Sequence, residues 1–194
     1  MKRKVLVCGA GGFIGSHLVK ALKAEGCWVR GVDLKFPEFG DTEADDFLVG
    51  DLRDPVVCRM AADQPFDEVY QLAADMGGAG FVFTGENDAD IMHNSALINL
   101  NMLEACRDAE VGRVLFVSSG GVVYGEPDDL PVGETAPKAP VSGYGVSKLT
   151  GEYYLFAFRK LFGIEGASLR YSNVYGPRQD PFGEAGVVAV FCSR

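Results

Sequence analysis

The chain has few cysteines and histidines, and this shortage excludes two kinds of site. Its 194 residues include 5 cysteines and 2 histidines. An odd number of cysteines with no CxxC pair predicts reduced, mostly buried thiols in a cytoplasmic protein, and argues against a disulfide framework or a zinc site. His93 has no plausible metal partners in the sequence, and His17 on the first helix is expected to be packed or solvent-facing rather than catalytic. No metal site is predicted. The cysteines are Cys8, Cys27, Cys58, Cys106 and Cys192.

Positive charge and long apolar runs are also scarce. The chain carries 27 acidic and 18 basic side chains, for a net charge of −9. That balance argues against binding to nucleic acid or to an anionic membrane, although a nucleotide needs only a local positive site. No apolar run reaches the roughly 18 residues of a membrane span. The basic N-terminus is followed by apolar sequence that glycines interrupt, with no small-residue cleavage site, so no signal peptide is predicted.

What the chain does have is a regular alternation of strand and helix patterns. Short continuous apolar runs are typical of strands buried on both faces of a parallel sheet. Helical spacing is found over 13–26, 54–63, 90–109 and 144–162, and the loop 126–142 is rich in Pro, Gly and acid. This alternation predicts one α/β domain with a doubly wound parallel sheet. The predicted strands are KVLVCG, WVRGVD, DFLVGD, DEVYQLAA, GRVLFVSS and GIEGASLRYS.

A glycine cluster, GAGGFIG, follows the first strand and opens the first helix. Gly9 permits a tight turn, Gly12 lets the backbone approach a pyrophosphate, and Gly15 lets helix and strand pack closely. Asp33 ends the second strand and suits an adenosine ribose, which favours NAD over NADP despite the nearby Lys35. Asp33 is also typical of an ordinary turn at a strand end. The Asp51-Leu52 pair after the third strand likewise has two interpretations, a cradle for the adenine or a simple turn.

A tyrosine and a lysine lie on one face of the last long helix. Tyr144 and Lys148 are four residues apart, so both side chains project from the same side. An ammonium group beside a phenol favours the phenolate. The tyrosine can then take a proton from a sugar hydroxyl while hydride passes to a nicotinamide. Taken alone, the pair is more typical of an ordinary helix surface.

The combination of these motifs resembles the extended short-chain dehydrogenase/reductase family, which contains NAD-dependent nucleotide-sugar epimerases and dehydratases. The matching segments are GAGGFIG, DL at 51–52, LAA at 72–74, SSGGVVYG, YGVSK and RYSNVYGPRQDPFGEAGVV. The resemblance implies an NAD(P)-binding Rossmann fold, a UDP- or GDP-sugar substrate, Tyr144 as acid/base and Lys148 on the nicotinamide ribose. It also implies that Asn173 binds the sugar nucleotide. The cofactor-binding residues that it implies are Gly9, Gly12, Phe13, Ile14, Gly15, Asp33, Asp51, Leu52, Leu72, Ala73, Ala74, Ser118, Tyr144, Lys148 and Tyr171.

Residues before Tyr124 help to choose among the family's reactions. Gly121 and Val122 occupy the positions where hexose 4,6-dehydratases of the family carry an Asp-Glu pair. UDP-glucuronate decarboxylases typically carry a glutamate at the position of Val122. Neither Gly121 nor Val122 can transfer a proton, so both of these reactions are disfavoured. The segment LAADMGGAGF resembles GDP-mannose 3,5-epimerase, but Val122 and Gly186 replace the cysteine and lysine implied for that reaction. The resemblance therefore favours a UDP-hexose 4-epimerase, with a GDP-mannose 3,5-epimerase-like enzyme as runner-up.

The hydroxyl expected to assist the tyrosine is not at its usual place. Relatives carry Ser or Thr five positions before the glycine of VYG, and that position here is Gly120. Ser119 precedes it, and neighbouring side chains on a strand face opposite ways. A loop that begins at Gly120 can turn Ser119 inward, because glycine relaxes the backbone. Ser119 is therefore the candidate helper, with a water or a backbone amide as the alternative.

The length of the chain and its helix faces give the last two expectations. Members of the family are considerably longer, so we expect residues 1–194 to be the dinucleotide-binding domain, with the C-terminal substrate domain largely missing. A truncated, non-catalytic NAD-binding module is then the alternative of another class. The apolar faces of helices 90–109 and 144–162 exceed what one sheet face needs, and the resemblance implies a homodimer through them.

Overall fold

The computed structural model describes residues 2–38, 40–76, 85–181 and 187–193. In that part of the chain the strands are β1 Lys4–Cys8, β2 Trp28–Asp33, β3 Asp46–Val49, β4 Glu68–Gln71, β5 Arg113–Ser119 and β6 Glu165–Tyr171. The helices are α1 Phe13–Ala24, α2 Pro55–Ala61, α3 Asp88–Asp108, α4 Gly143–Phe162 and α5 Val187–Cys192. Every strand and long helix predicted from the sequence is present.

The six strands form one parallel sheet in the order β3-β2-β1-β4-β5-β6. This confirms the predicted doubly wound α/β fold. Because the chain reverses its direction of winding between β1 and β4, a crevice forms at the carboxyl ends of these two strands. Ligands of such folds bind at this edge, so the sheet order alone directs attention to the residues that follow β1 and β4.

Two predicted strands run too far along the chain. The predicted fourth strand extends to Ala74, but β4 ends at Gln71, whose partner is Cys8 at the end of β1. The predicted third strand reaches Asp51, but β3 ends at Val49, opposite Asp33. The strand β3 lies at the sheet edge, so it has no further partner once β2 ends. The strand β4 loses its partner only on the β1 side, since β5 continues to Ser119.

Apolar side chains fill both faces of the sheet. In β1, Leu6 and Cys8 belong to the core under α2, α3 and α4, whereas Val5 and Val7 belong to the core under α1. All four are fully buried. This alternation explains why β1 is continuously apolar, because each of its two faces lies against helices.

Local capping fixes where the helices begin. Asp54 accepts a hydrogen bond from the Val56 N–H at 2.7 Å, with Pro55 in the first turn, so the predicted helix 54–63 begins with a favourable cap and first position. Ser142 caps α4 through the Gly145 N–H at 3.1 Å, and Gly163 ends that helix at φ +74°. The cap at Ser142 sets the start of α4 at Gly143, one residue before Tyr144.

The cysteines are mostly interior. Four of the five are buried, and Cys192 is exposed. Burial raises the pKa of the Cys58 and Cys106 thiols to about 12, so both stay protonated at neutral pH. Within the described ranges, no cluster of His, Cys, Asp and Glu is arranged to hold a metal ion. No helix in that part of the chain is long and apolar enough to cross a membrane.

Candidate dinucleotide and active site

The glycine turn after β1 is closely packed on one side and open on the other. Gly9 has φ +81°, and its N–H donates to the Val32 carbonyl at 2.8 Å. A Cβ atom on Gly15 would lie only 2.0 Å from the Gly9 carbonyl oxygen, so helix and turn touch there. A Cβ on Gly12 would have only the Gly9 oxygen nearby, at 3.5 Å. Gly15 is therefore required for packing, whereas Gly12 leaves the backbone accessible to a ligand.

The first turn of α1 suits an anion. Gly12 is its N-cap and provides no side-chain acceptor, and the first turn contains no acidic residue. The N–H groups of this turn have no carbonyl partners within the helix, and the helix dipole adds partial positive charge. Phe13 and Ile14, the first two residues of α1, supply two of these N–H groups. A pyrophosphate fits this arrangement of donors.

Asp33 lies beside the same turn at the end of β2. One carboxylate oxygen accepts from the Gly11 N–H at 2.8 Å, and the other accepts from the Leu34 N–H at 2.7 Å. The backbone thus holds the carboxylate in place, with further lone pairs available to a ribose hydroxyl. Lys35, which weakens the preference for NAD in the sequence, forms an ion pair with Glu38.

The segments after β3 and β4 reach the same edge of the sheet. Asp51 accepts hydrogen bonds from the Arg53 guanidinium, which lower the pKa of the Asp51 carboxyl. Leu52 is buried in the core beside it. The Leu72 N–H donates to the Cys8 carbonyl at 3.1 Å, and a Cβ on Gly9 would lie 3.0 Å from the Ala73 nitrogen. Residues 72–74 therefore line the crevice as a loop against the glycine turn.

Tyr144 and Lys148 lie at the start of α4, over the end of β5. Lys148 is only 4% exposed, and its Nζ donates to the Val117 carbonyl at 3.0 Å. The same nitrogen is 5.6 Å from the centroid of the Tyr144 ring and 5.5 Å from that of Phe116. Burial of the ammonium strengthens its electrostatic effect on the phenol, because little water screens it. This geometry suits a tyrosine that holds and releases a proton.

The two serines are consecutive residues at the end of β5. Ser118 faces α4, and its Oγ donates to Glu152 at 2.6 Å. Ser119 is the last residue of β5 and is paired in register with Tyr171. The Gly120 N–H donates to the Tyr171 carbonyl at 2.7 Å. A Cβ on Gly120 would lie 3.4 Å from that oxygen and 3.9 Å from the Cβ of Arg170, and so would point toward β6.

A partly buried ionic network behind these serines was missed in the sequence. Glu152 accepts two hydrogen bonds from Arg170, at 2.8 and 2.7 Å. Arg170 also donates to the Tyr124 hydroxyl at 2.7 Å and to the Glu134 carbonyl at 3.0 Å. Burial alone raises the pKa of the Glu152 carboxyl, but the hydrogen bonds from Arg170 and Ser118 outweigh it and lower the pKa. The sequence signal that could have indicated Glu152 is its spacing, since it follows Lys148 by four residues and therefore lies on the same face of the helix.

The loop after β6 returns to the start of α1. His17 Nε2 is 2.9 Å from the Pro177 carbonyl, and the His17 ring packs edge-on against Phe13. Tyr171 is half-buried at the end of β6, and burial raises the pKa of its phenol. Asn173 is exposed two residues later. His17 thus has a packing role, and the loop brings Asn173 to the edge that carries the other candidate residues.

Two sequence interpretations lie partly outside the described residues. The segment LAADMGGAGF is described only as far as Met76, and Gly186 is not described. The described candidate residues nevertheless converge from the ends of all six described strands onto one edge of the sheet. At this edge the structure joins a glycine turn, a carboxylate and a tyrosine-lysine pair.

The chain is similar to several nucleotide-sugar epimerases. The chain is 36% identical over 195 residues to the UDP-glucose 4-epimerase of Mycolicibacterium smegmatis, covering 97% of this chain and 61% of that protein. It is 38% identical over 184 residues to GDP-mannose 3,5-epimerase 1 of Oryza sativa subsp. indica, covering 91% and 48%. The crystal structure of the Thermus thermophilus UDP-glucose 4-epimerase in complex with NAD matches with a TM-score of 0.89 and 40% identity, covering 98% and 62%.

These matches cover nearly all of this chain but only part of each relative. The chain spans about 60% of the length of the two UDP-glucose 4-epimerases. Residues 5–194 match the profile of one protein family, described as the NAD dependent epimerase/dehydratase family. The match includes the glycine turn, Asp33, Tyr144 and Lys148. The chain belongs to the NAD dependent epimerase/dehydratase family.

Proposed function

We propose that this chain is the catalytic, cofactor-binding part of a UDP-hexose 4-epimerase that uses NAD. The observation that carries the proposal is the position of Tyr144 and the buried Lys148 ammonium over the end of β5, on the same sheet edge as the glycine turn. A hydroxyl-bearing sugar held at this edge would lie between a proton acceptor and a cofactor. The match to UDP-glucose 4-epimerases over nearly the whole chain supports the same reaction.

The residues present fit NAD. The open side of Gly12 and the N–H groups of the first turn of α1 would hold the pyrophosphate, and Asp33 would accept from the adenosine ribose. The crevice next to this turn is bordered by Asp51, Leu52 and residues 72–74. When bound, NAD supplies a hydride acceptor for C4 of the sugar and a donor for its return.

Tyr144 would manage the proton of the reaction. In the proposed reaction its phenolate takes the proton of the sugar C4 hydroxyl and later returns it. Lys148 stabilises the phenolate and would bind the nicotinamide ribose, while the Val117 carbonyl fixes its Nζ. Asn173 would hold the sugar nucleotide. The reaction needs only one acid/base group, which is consistent with Gly121 and Val122, neither of which can transfer a proton.

Ser119 is the proposed helper hydroxyl, and Gly120 provides its test. Replacing Ser119 by alanine is expected to lower kcat roughly 10- to 100-fold, because the C4 oxygen and the tyrosine lose a hydrogen-bond partner. Gly120→Ser is expected to leave kcat within about twofold of wild type, because its Cβ fits at ordinary contact distance but points toward β6. Steady-state rates of both variants check this. A rate gain in Gly120→Ser together with an unaffected Ser119→Ala would transfer the role to position 120.

The reaction itself is tested by NMR in deuterated water with UDP-glucose, UDP-galactose and GDP-mannose as separate substrates. A 4-epimerase returns the same hydride to C4, so we expect inversion at C4 with no deuterium in the product. A 3,5-epimerase removes protons from carbons beside a ketone and would introduce solvent deuterium at C3 and C5. That outcome would favour the runner-up, which the identity to the rice enzyme supports. NAD binding without turnover of any of these sugars would support the non-catalytic module.

A homodimer is part of the same proposal. Large apolar side chains are exposed on α3 and α4, where the sequence predicts a contact between two copies. An apolar helix face of this kind favours burial against a partner. The exposed apolar side chains of α3 and α4 include Met92, Val146, Tyr153, Phe156, Leu161 and Phe162.

A further inference from the structure

Three residues of α4 point toward the end of β5, one turn apart. Tyr144, Lys148 and Glu152 are spaced at i, i+4 and i+8, so they share one face of the helix. The first two are assigned in the proposed function. Glu152 is not, although its side chain is only 10% exposed and carries a charge. A buried carboxylate on this face requires an explanation, because burying a charge is costly unless it is paired.

Glu152 joins four parts of the fold. Its own helix is linked to β5 through the Ser118 hydroxyl at 2.6 Å and to β6 through the Arg170 guanidinium at 2.7 Å. Arg170 then donates to the Tyr124 hydroxyl and the Glu134 carbonyl, both in the loop between β5 and α4. Lys138 also lies near enough to favour the charged carboxylate. The carboxylate thus connects the helix, two strands and the loop that leads into the helix.

The bond from Ser118 is adjacent to the bond that positions Lys148. Lys148 donates to the Val117 carbonyl, and Glu152 accepts from Ser118, the next residue of β5. Two hydrogen bonds one helical turn apart therefore attach α4 to consecutive residues of one strand. A helix attached at two such points can neither rotate nor slide along the strand without breaking one of them. Small displacements of this helix would move the Lys148 ammonium relative to the nicotinamide ribose.

We propose that Glu152 is a positioning residue that sets the register of α4 on β5 and thereby places Lys148 for binding of the cofactor. This inference rests on the proposed role of Lys148. Ser118 and Arg170 are the groups through which Glu152 acts. Replacing the carboxylate by a neutral amide would deprive Arg170 of its ion pair and weaken the hydrogen bond from Ser118, so the second attachment of the helix would loosen.

A double-mutant cycle in NAD+ binding tests the proposal with the full 194-residue chain. The variants are Glu152→Gln, Lys148→Ala and the pair together, measured by isothermal titration calorimetry with NAD+. We expect Glu152→Gln to raise the Kd about tenfold in the wild-type background and less than about twofold when Lys148 is already alanine. The matched control is Glu165→Gln, which removes the same charge from the opposite end of β6, where the side chain is 77% exposed. The control should leave the Kd unchanged.

A purely structural role predicts a different pattern. Equal losses of affinity in both backgrounds, or no loss in either, would overturn the proposal. If Glu152→Gln does not fold at the temperature of measurement, Ser118→Ala removes only one bond of the network and should raise the Kd in the same Lys148-dependent way. If the wild-type chain binds NAD+ but turns over no sugar, the result would count against the epimerase reaction. The double-mutant cycle could still be measured, because it depends only on NAD+ affinity. Absence of NAD+ binding by the wild-type chain would defeat both.

Discussion

Turnover of a Tyr144→Phe variant is expected to be roughly 10²- to 10⁴-fold slower than wild type, because the phenol is the only group proposed to move the substrate proton. The NAD+ affinity should change little. Phenylalanine keeps the ring beside Lys148, whose Nζ lies 5.6 Å from its centroid, and removes only the hydroxyl. Epimerisation rates and calorimetric NAD+ binding on the same preparations separate the two effects.

Tyr153→Phe is the matched control for this change. It removes the same hydroxyl from the same helix, at a position that is 61% exposed. This control is expected to keep wild-type turnover. If Tyr144→Phe retained more than about one tenth of wild-type activity, Tyr144 would not be the acid/base, since a positioned group contributes at least about a hundredfold.

Replacing Gly15 by alanine is expected to destabilise the chain by about 3 kcal/mol, which corresponds to a drop in melting temperature of roughly 6–12 °C. The new methyl group would lie 2.0 Å from the Gly9 carbonyl oxygen and 2.8 Å from the Ala10 Cα. Both obstacles are backbone atoms, so the helix and the turn have to separate. NAD+ binding should be lost together with the packing. Thermal unfolding and calorimetry measure both losses.

Gly12→Ala separates ligand contact from packing in the same turn. A methyl group there meets only the Gly9 oxygen, at an ordinary contact distance of 3.5 Å. We expect the melting temperature to stay within about 2 °C of wild type, while the Kd for NAD+ rises more than about tenfold because the methyl group obstructs the pyrophosphate. Gly133→Ala, which meets no atom within 4 Å, is the control for both variants. Equal melting temperatures for the Gly12 and Gly15 variants would refute this division of roles.

The sequence predicts those features that depend on local spacing. The glycine turn, the Asp54-Pro55 helix start and the shared face of Tyr144 and Lys148 follow from residues a few positions apart. Strand ends were less predictable, because β4 stops where β1 turns away at Gly9 and not where its own apolar residues stop. A strand end is set by its neighbour, which the local pattern does not contain.

The supporting contacts of the site depend on the tertiary fold. Lys148 reaches the Val117 carbonyl, 31 residues earlier in the chain. Arg170 reaches the Tyr124 hydroxyl across 46 residues. Backbone carbonyls leave no trace in the amino-acid sequence, and a single Arg or Glu on a strand or helix is typical of a surface. Only the register of β5 against β6 brings Ser118 and Arg170 side by side under α4.

The most direct test is a crystal structure of the 194-residue chain grown with NAD+ at saturating concentration. We predict a pyrophosphate against the open face of Gly12, with the nicotinamide ribose within hydrogen-bond reach of Lys148 and the ring next to the Tyr144 hydroxyl. A dinucleotide whose nicotinamide lies away from that hydroxyl, or a crevice that stays empty under these conditions, would contradict the assignment of this edge as a redox active site.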